Sequence, residues 1–227
     1  MPLTPFTEAK FTLSRRALLM ATGVAALVAT VPALAQRREG PAEIPIADLM
    51  APGELPDVVV GSPDAKVTIV EYASMTCGHC ANFHNKVYPE LKTKYIDTGK
   101  VRFVFREFPL DNLAAAASML SRCAGGDRGQ GLISVLFAKQ DDWAFVRGNP
   151  VPKLFDIAKQ AGFTQESFDK CLTDQALLDK LIAGRTRASE KFGVNSTPTF
   201  FINGKRLQGG STLSDFDKAL EPLLKSA

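Results

Sequence analysis

Residues Lys66 to Tyr72 read KVTIVEY, a near-continuous run of apolar and β-branched side chains. Such a run suits a strand buried on both faces. A second run of the same kind, Val101 to Phe108 (VRFVFREF), stops at Pro109. Between the two lies a long helical pattern reaching to about Asp97. In it Phe83, Val87, Leu91 and Tyr95 recur every four residues and form one apolar stripe. Pro89 falls inside this helix and predicts a kink, and Gly99 is a natural C-cap. Strand, helix, strand is a parallel crossover, which commits this part of the chain to an α/β fold.

The flanking segments show how that frame is divided. Residues 36–56 are rich in Pro and Gly (Pro41, Pro45, Pro52, Pro56) and read as a tether or irregular N-terminal arm. Asp57 to Gly61 (DVVVG) is a short strand candidate. From Asp111 to about Gly193 the pattern is helical throughout, with helices expected at 112–124, 128–140, 152–161, 164–172 and 174–192. Thr164 with Ser167 marks a helix start and Gly162 a stop. TPTFFING (197–204) returns to a strand and a turn, followed by a partner strand at Lys205 to Leu207 and a final helix from Thr212 to Leu224. Thr212, with Asp215 three residues on, is a variant of the capping box. The expected organisation is an α/β frame made of residues 57–110 and 194–227, interrupted by an all-helical insertion domain at 111–193.

The chain has 227 residues and is 45% hydrophobic, enough to build a core. Its net charge of +3 comes with no basic run interleaved with aromatics, so no nucleic-acid partner is expected. Residues 1–35 read as an export signal that is cleaved. Lys10, Arg15 and Arg16 form the basic region, Ala17 to Ala29 the apolar stretch, and Ala33-Leu34-Ala35 a small-x-small cleavage site. Ser14-Arg15-Arg16-Ala17-Leu18-Leu19 looks like a twin-arginine signal, although general secretion uses similar charges. Export to an oxidising compartment changes how the four cysteines read, because an even number there suggests pairing.

Two of the four lie in MTCGHC, residues 75–80, at the carboxyl end of the first strand. If Cys77 opens the long helix, the unpaired first-turn N–H groups and the helix dipole stabilise its thiolate. The thiolate is the species that attacks disulfides. Cys80, three residues on, falls on the same helical face, so the two sulfurs can bond within one turn. A protonated His79 would add to the stabilisation. A metal clip is the competing chemistry. Met-Thr-Cys-x-x-Cys is also a copper-carrier string, and Cys77, Cys80, His84 and Met75 offer a soft ligand set. A mere staple is a poor use of so short a loop, which closes almost no chain entropy.

With EYASMTCGHCANFH, REFPLD and VNSTPTFFINGK in view, the chain resembles the DsbA-like thiol:disulfide oxidoreductases of bacterial envelopes, and more closely their alphaproteobacterial thioredoxin-type branch. The resemblance covers essentially all of 57–227. It implies a thioredoxin fold interrupted by the helical insertion, and a periplasmic enzyme that introduces disulfides into exported proteins. It makes Cys77 the nucleophile and Cys80 its buried partner in a redox-active disulfide, with Gly78 and His79 tuning the redox poise. Thr197 and Pro198 become a cis-proline loop that faces the cysteines and pairs with substrate backbone. Glu71 becomes a buried acid that manages the proton of the inner cysteine. Cys123 and Cys171 remain for a structural disulfide. His84 departs from the acidic residue of the best-known members, which puts a transfer of their redox potential in doubt. The resemblance further implies unfolded exported substrates, a membrane partner of the DsbB type that reoxidises the pair, a monomer, no organic cofactor and no metal. An isomerase or reductase of the same fold, a copper-binding protein and a non-catalytic peptide-binding chaperone are the rivals.

Overall fold

Five strands form one mixed sheet in the order β1-β3-β2-β4-β5. They are β1 Val58–Val60, β2 Val67–Ala73, β3 Val101–Glu107, β4 Thr199–Ile202 and β5 Lys205–Arg206. The computed structural model describes residues 40–209 and 211–225; the signal expected at 1–35 lies outside the described residues. β2 and β3 are parallel, in register from Val67 opposite Val101 to Ala73 opposite Glu107, and the other pairings are antiparallel. The β4–β5 turn is Asn203-Gly204, and both residues have positive φ, as tight hairpin turns require.

Strand periodicity sorts the side chains onto two faces. Val67, Ile69 and Ala73 of β2, Phe103 and Phe105 of β3, and Phe200 and Ile202 of β4 enter the larger core. Val70, Tyr72, Val104 and Phe201 enter a smaller one on the opposite side. The residues of the second face explain why β2 is apolar at nearly every position.

Helix α2 spans residues 78–96 and links β2 to β3. It alternates α-turns, Gly78–Asn82 and Tyr88–Leu91, with π-turns, Phe83–Val87 and Lys92–Ile96. The helix is not broken at Pro89. The wider π-turn just before it makes room for a ring that would clash with the carbonyl four residues back in a regular α-helix. Phe83, Leu91 and Tyr95 are buried along the expected stripe, and Gly99, at φ +73, ends the turn that follows.

Between β3 and β4 come α3 Asn112–Ala124, α4 Gly126–Ala138, α5 Gln140–Trp143, α6 Val151–Gln160, α7 Gln165–Leu172 and α8 Gln175–Phe192; α9, Leu213–Lys225, closes the chain. The Thr164–Ser167 capping box holds α7. Thr212 and Asp215 exchange the two bonds of a second box ahead of α9. The short α5 was not expected from the pattern. Leu120, Leu136, Phe137, Trp143 and Phe168 of this helical segment share a core with Phe83, Phe103 and Phe200. The insertion is thus packed into the frame and shares its core. Cys123 on α3 and Cys171 on α7 are joined by a disulfide across a separation of 48 residues.

The Pro-rich stretch 36–56 departs from a tether over its described part. It carries a short helix, α1 Ile46–Met50, and Glu43 bridges Lys205 at the β5 edge. Leu49 is fully buried and Ile44 nearly so in the second core, beside Ala188 and Phe192 of α8. Apolar residues were few in this stretch, but Ile44 and Leu49 cover the second sheet face together with the end of α8. Arg106 of β3 ties the arm down. It grips both carboxylate oxygens of Asp57 at 2.7 and 2.9 Å and donates to the Leu49 carbonyl at 2.7 Å. Among the described residues no helix is long and apolar enough to cross a membrane.

Candidate active site

Cys77 is the N-cap of α2, with extended backbone (φ −83, ψ 116). The chain reaches it from β2 through a tight turn in which Cys77 N–H donates to Ser74 O at 3.1 Å. Two side chains from the helical insertion fix this turn. Gln140 Nε2 donates to Met75 O at 2.8 Å and to Cys77 O at 3.1 Å, and Gln140 is itself buried. Asp111, the N-cap of α3, accepts from Ala114 N–H at 2.7 Å through one oxygen and from Thr76 Oγ1 at 2.6 Å through the other. Loops of this kind carry chemistry only when a rigid scaffold holds them.

The two cysteines are not joined by a disulfide in this structure. Cys77 is only 9% exposed, and Cys80 is 0% exposed. Of the two, only Cys77 offers a sulfur to an incoming group. Its Sγ lies 3.2 Å from the carbonyl oxygen of Thr197, whose peptide bond to Pro198 is cis.

The electrostatics of the pair are opposed. Cys77 falls from 9.0 to about 5, chiefly because the Cys80 thiol donates to its sulfur. The Thr197 side chain and the backbone N–H groups of Cys80 and His79 add to this, while burial works against it. Thr197 Oγ1 is buried and has no partner of its own, so its proton is free to turn toward a thiolate. Cys80 moves far above the ordinary thiol range. Burial is the main cause, followed by its bond to Cys77 and the negative charge of Glu71. One sulfur is thus held as thiolate and the other as thiol.

The remaining expected residues sort themselves by contact. Gly78 and His79 are both exposed, and His79 reaches Cys77 through its backbone N–H. A Cβ on Gly78 would meet nothing nearer than Gln140 Oε1 at 4.0 Å, so packing does not require glycine there. Glu71, in the middle of β2, is 0% exposed. Its Oε2 meets His84 Nε2 at 2.8 Å, while Oε1 has no partner. His84 is therefore turned to a carboxylate. Among the described residues no group of three or more His, Cys, Asp or Glu could hold a metal ion. Cys123 and Cys171 are bonded to each other and take no part in these contacts.

Gln140 and Asp111 were missed from the sequence. Gln140 sits in an unexpected short helix more than sixty positions from its partners, and no spacing rule links them. Asp111 had a visible signal, as an acidic residue just before an Ala-rich helix. The signal for His84 was its place four residues after Cys80 on one helical face.

A thioredoxin family model matches residues 54–222. A Rickettsia bellii protein whose name assigns it, provisionally, to the protein-disulfide oxidoreductases is 38% identical over 168 residues, covering 73% of this chain and 65% of that one. A similarly named Rickettsia conorii protein is 37% identical over 170 residues, covering 73% and 61%. This chain therefore spans less than two thirds of the length of these curated relatives. The crystal structure of Wolbachia pipientis alpha-DsbA1 is 33% identical and superposes with a TM-score of 0.72, covering 79% of this chain and 96% of that one. The matched span runs from just before β1 into α9 and takes in the helical insertion with the sheet, and on that evidence the chain belongs to the thioredoxin family, among its DsbA-like members.

Proposed function

We propose that this chain is a thiol:disulfide oxidoreductase that donates disulfides to exported, unfolded polypeptides through Cys77 and Cys80. The observation that carries the proposal is the opposed pair: a thiolate-stabilised Cys77 at a helix start, bonded to a fully buried Cys80 thiol. In the disulfide form a substrate thiolate attacks Cys77 Sγ, because Cys80 is out of reach. The Cys77–Cys80 bond breaks and a substrate–Cys77 bond forms. The substrate's second thiolate then attacks its own sulfur, and Cys77 departs as a thiolate. A leaving thiol of low pKa leaves faster, and a stable thiolate favours the reduced enzyme. Both effects drive donation. The Thr197 carbonyl beside the sulfur suits backbone pairing with an extended substrate. The provisional naming of the Rickettsia relatives supports the same class of activity.

The sequence supports a setting for this chemistry. We place the enzyme in the periplasm, exported by residues 1–35 and cleaved near Ala35, working as a monomer and reoxidised by a membrane partner of the DsbB type. The export-type N-terminus and the even number of cysteines support this.

The test is the reduction potential of Cys77–Cys80. The protein is equilibrated in graded glutathione buffers and free thiols are trapped with a mass tag. Peptide mapping then reads Cys123 and Cys171 separately. A potential near or above that of the glutathione couple makes the pair a disulfide donor. One far below it makes the chain a reductase or isomerase that must be kept reduced. Failure to form the disulfide at any poise would overturn redox function and bring copper binding forward.

A further inference from the structure

The loop that presents Thr197 to Cys77 is held by the sheet at one end. At the other it is held by contacts that the exchange reaction alone does not explain. Thr199 opens β4, which lies between β2 and β5, and its Oγ1 donates to Ser196 O at 2.8 Å. The opposite end is Gly193, which follows α8 at φ +63. Val194 is buried in the second core, but Asn195 and Ser196 beyond it are exposed. A cavity of about 160 Å³ adjoins Asn195, Ser196 and Pro198. Side-chain packing therefore does little for the middle of the loop, and its position is set at its ends.

Arg206 of β5 secures the α8 end. Its Nη2 donates to Phe192 O at 2.7 Å and to Gly193 O at 3.2 Å, carbonyls that a helix end leaves without partners. Its charge also opposes the negative end of the helix dipole. The guanidinium lies 4.7 Å from the centre of the Phe201 ring of β4, a cation–π contact that orients the fork. The arm closes the same spot from outside. Arg206 Nε donates to Pro41 O at 3.3 Å, and the Arg206 backbone N–H donates to Ala42 O at 2.8 Å. Gly40 lies against Gly193. A Cβ on Gly40 would come within 2.5 Å of Gly193 O, 2.6 Å of Gly193 Cα and 2.8 Å of Arg206 Nη2, an approach open only to glycine. Covering the outer edge of β5 needs backbone bonds alone, such as that to Ala42 and that from Ile44 N–H to Gly204 O at 2.8 Å. It needs neither a glycine at 40 nor an arginine fork reaching Gly193. Ordering so long a side chain costs entropy, and what it joins is the arm, the β4–β5 hairpin and the start of the loop.

We propose that Arg206, locked by arm residues 40–42, is the positioning residue of loop 194–198 and holds the Thr197 backbone where an extended substrate pairs with it. This rests on the disulfide exchange proposed above. The Thr197 carbonyl lies 3.2 Å from Cys77 Sγ, so a substrate strand laid along this backbone brings its thiolate to the sulfur it attacks. A shift of the loop at Gly193 misplaces that strand and leaves the two cysteines as they are. Polypeptide substrates then depend on the fork and the arm, and small thiols do not.

The experiment compares two rates in the native chain and in Arg206→Met, Arg206→Lys, Gly40→Val and Arg187→Met. One is oxidation of a reduced dithiol peptide by the oxidised protein. The other is reduction of the oxidised protein by dithiothreitol, a dithiol with no backbone to pair with the loop. Arg206→Met and Gly40→Val should lower kcat/KM for the peptide about tenfold, mostly through KM, as a small misplacement of a binding surface does. The dithiothreitol rate should change far less. Arg206→Lys keeps a cation at the end of α8 but has no fork to reach the arm as well. It should recover stability in urea without recovering the peptide rate. Arg187→Met is the control. Arg187 also ties the arm to α8, donating to Pro52 O at 2.9 Å and Asp48 O at 3.1 Å and stacking on Phe192, but these bonds do not go to Gly193. Its ratio of the two rates should stay native. Urea unfolding of each variant checks folding, and if the Arg206 variants fail to fold, Gly40→Val decides. Rates that fall together, or do not fall, in the folded variants would overturn the positioning role and leave the redox function standing. The same selective loss in Arg187→Met, or a peptide rate restored by Arg206→Lys, would also overturn it. A native chain that oxidises no peptide would overturn the donor function itself, and this proposal with it.

Discussion

The four cysteines form two pairs with opposite designs. Cys77 and Cys80 are separated by one helical turn, lie at the start of α2, and are surrounded by groups that hold one sulfur as thiolate and the other as thiol. Cys123 and Cys171 lie 48 residues apart, on two helices of the insertion, and are bonded. The first pair encloses almost no loop, so bonding it gains little chain entropy, and its electrostatics favour the reduced state. The second encloses a long loop, so its bond removes many unfolded conformations. Both pairs use the same element and differ only in placement. The comparison teaches that a disulfide's role follows from loop length and from the groups around each sulfur.

The largest expected effect breaks that comparison at its centre. Cys77→Ser should reduce disulfide donation to the uncatalysed background, measured as oxidation of a reduced dithiol peptide. Cys123→Ala with Cys171→Ala should retain donation. Equal losses in both would mean that the two pairs act as one relay, and the division drawn here would be wrong.

The second effect concerns protonation. The drop of Cys77 from 9.0 to about 5 is about four decades in its ionisation constant. Thiolate ultraviolet absorbance of the reduced protein should titrate near the lower value and be missing in Cys77→Ser. Because the folded value is the depressed one, the folded chain binds fewer protons than the unfolded chain between about 5 and 9.0. The reduced protein should therefore gain stability over Cys77→Ser as pH rises through that window, and lose the gain as pH falls through about 5. The oxidised protein should show no such slope from this residue. A thiolate signal that appears only near 9 would remove the asymmetry on which donation rests.

Third, opening Cys123–Cys171 should cost about 4 kcal/mol for a loop of this length in the chain-entropy model. Urea unfolding of Cys123→Ala with Cys171→Ala, against the native protein, reads this directly. Selective opening of the Cys77–Cys80 bond should cost far less. A fourth measurement sharpens the contrast between regions. Gln140 belongs to the insertion but serves the active-site turn. Gln140→Leu keeps much of its volume and leaves the buried Met75 carbonyl without its donor, for a loss of about 2 kcal/mol. Unchanged stability would show that water replaces the amide.

Much of this architecture was legible in the chain because it is written in local periods. The two parallel strands, the helix between them, five helices of the insertion and both capping boxes follow from apolar spacing and from Thr, Ser and Asp at helix starts. The strand side of the sheet hid its second face. KVTIVEY says that both faces are covered without saying by what, and the cover proved to be α1 and the end of α8. The site was legible where spacing is short, as in Cys77 and Cys80, and where a family pattern recurs, as in Thr197 and Pro198. It was opaque where contacts join distant positions. Gln140 reaches back more than sixty residues, and the Glu71–His84 contact depends on which helical face turns to which strand. Around Pro89 the alternation of α- and π-turns could not be foreseen, because no residue preference announces a π-turn.

The smallest effect tests the point at which the two designs touch. Helix α3 begins at Asp111 and carries Cys123 in its last turn. Asp111 therefore stands between the pairs, capping the helix with one oxygen and holding Thr76, next to Cys77, with the other. Asp111→Ala removes both bonds and should cost about 1 kcal/mol, typical of a lost cap. Asp111→Asn keeps an acceptor for Ala114 N–H and should restore most of the stability, while its amide replaces the carboxylate beside Thr76. If the anchoring of Thr76 matters to the cysteine turn, Asn will recover stability but not the Cys77 titration, which will move up toward the ordinary thiol value. If Asn recovers both, Asp111 serves the helix alone, and the insertion reaches the active-site turn through Gln140.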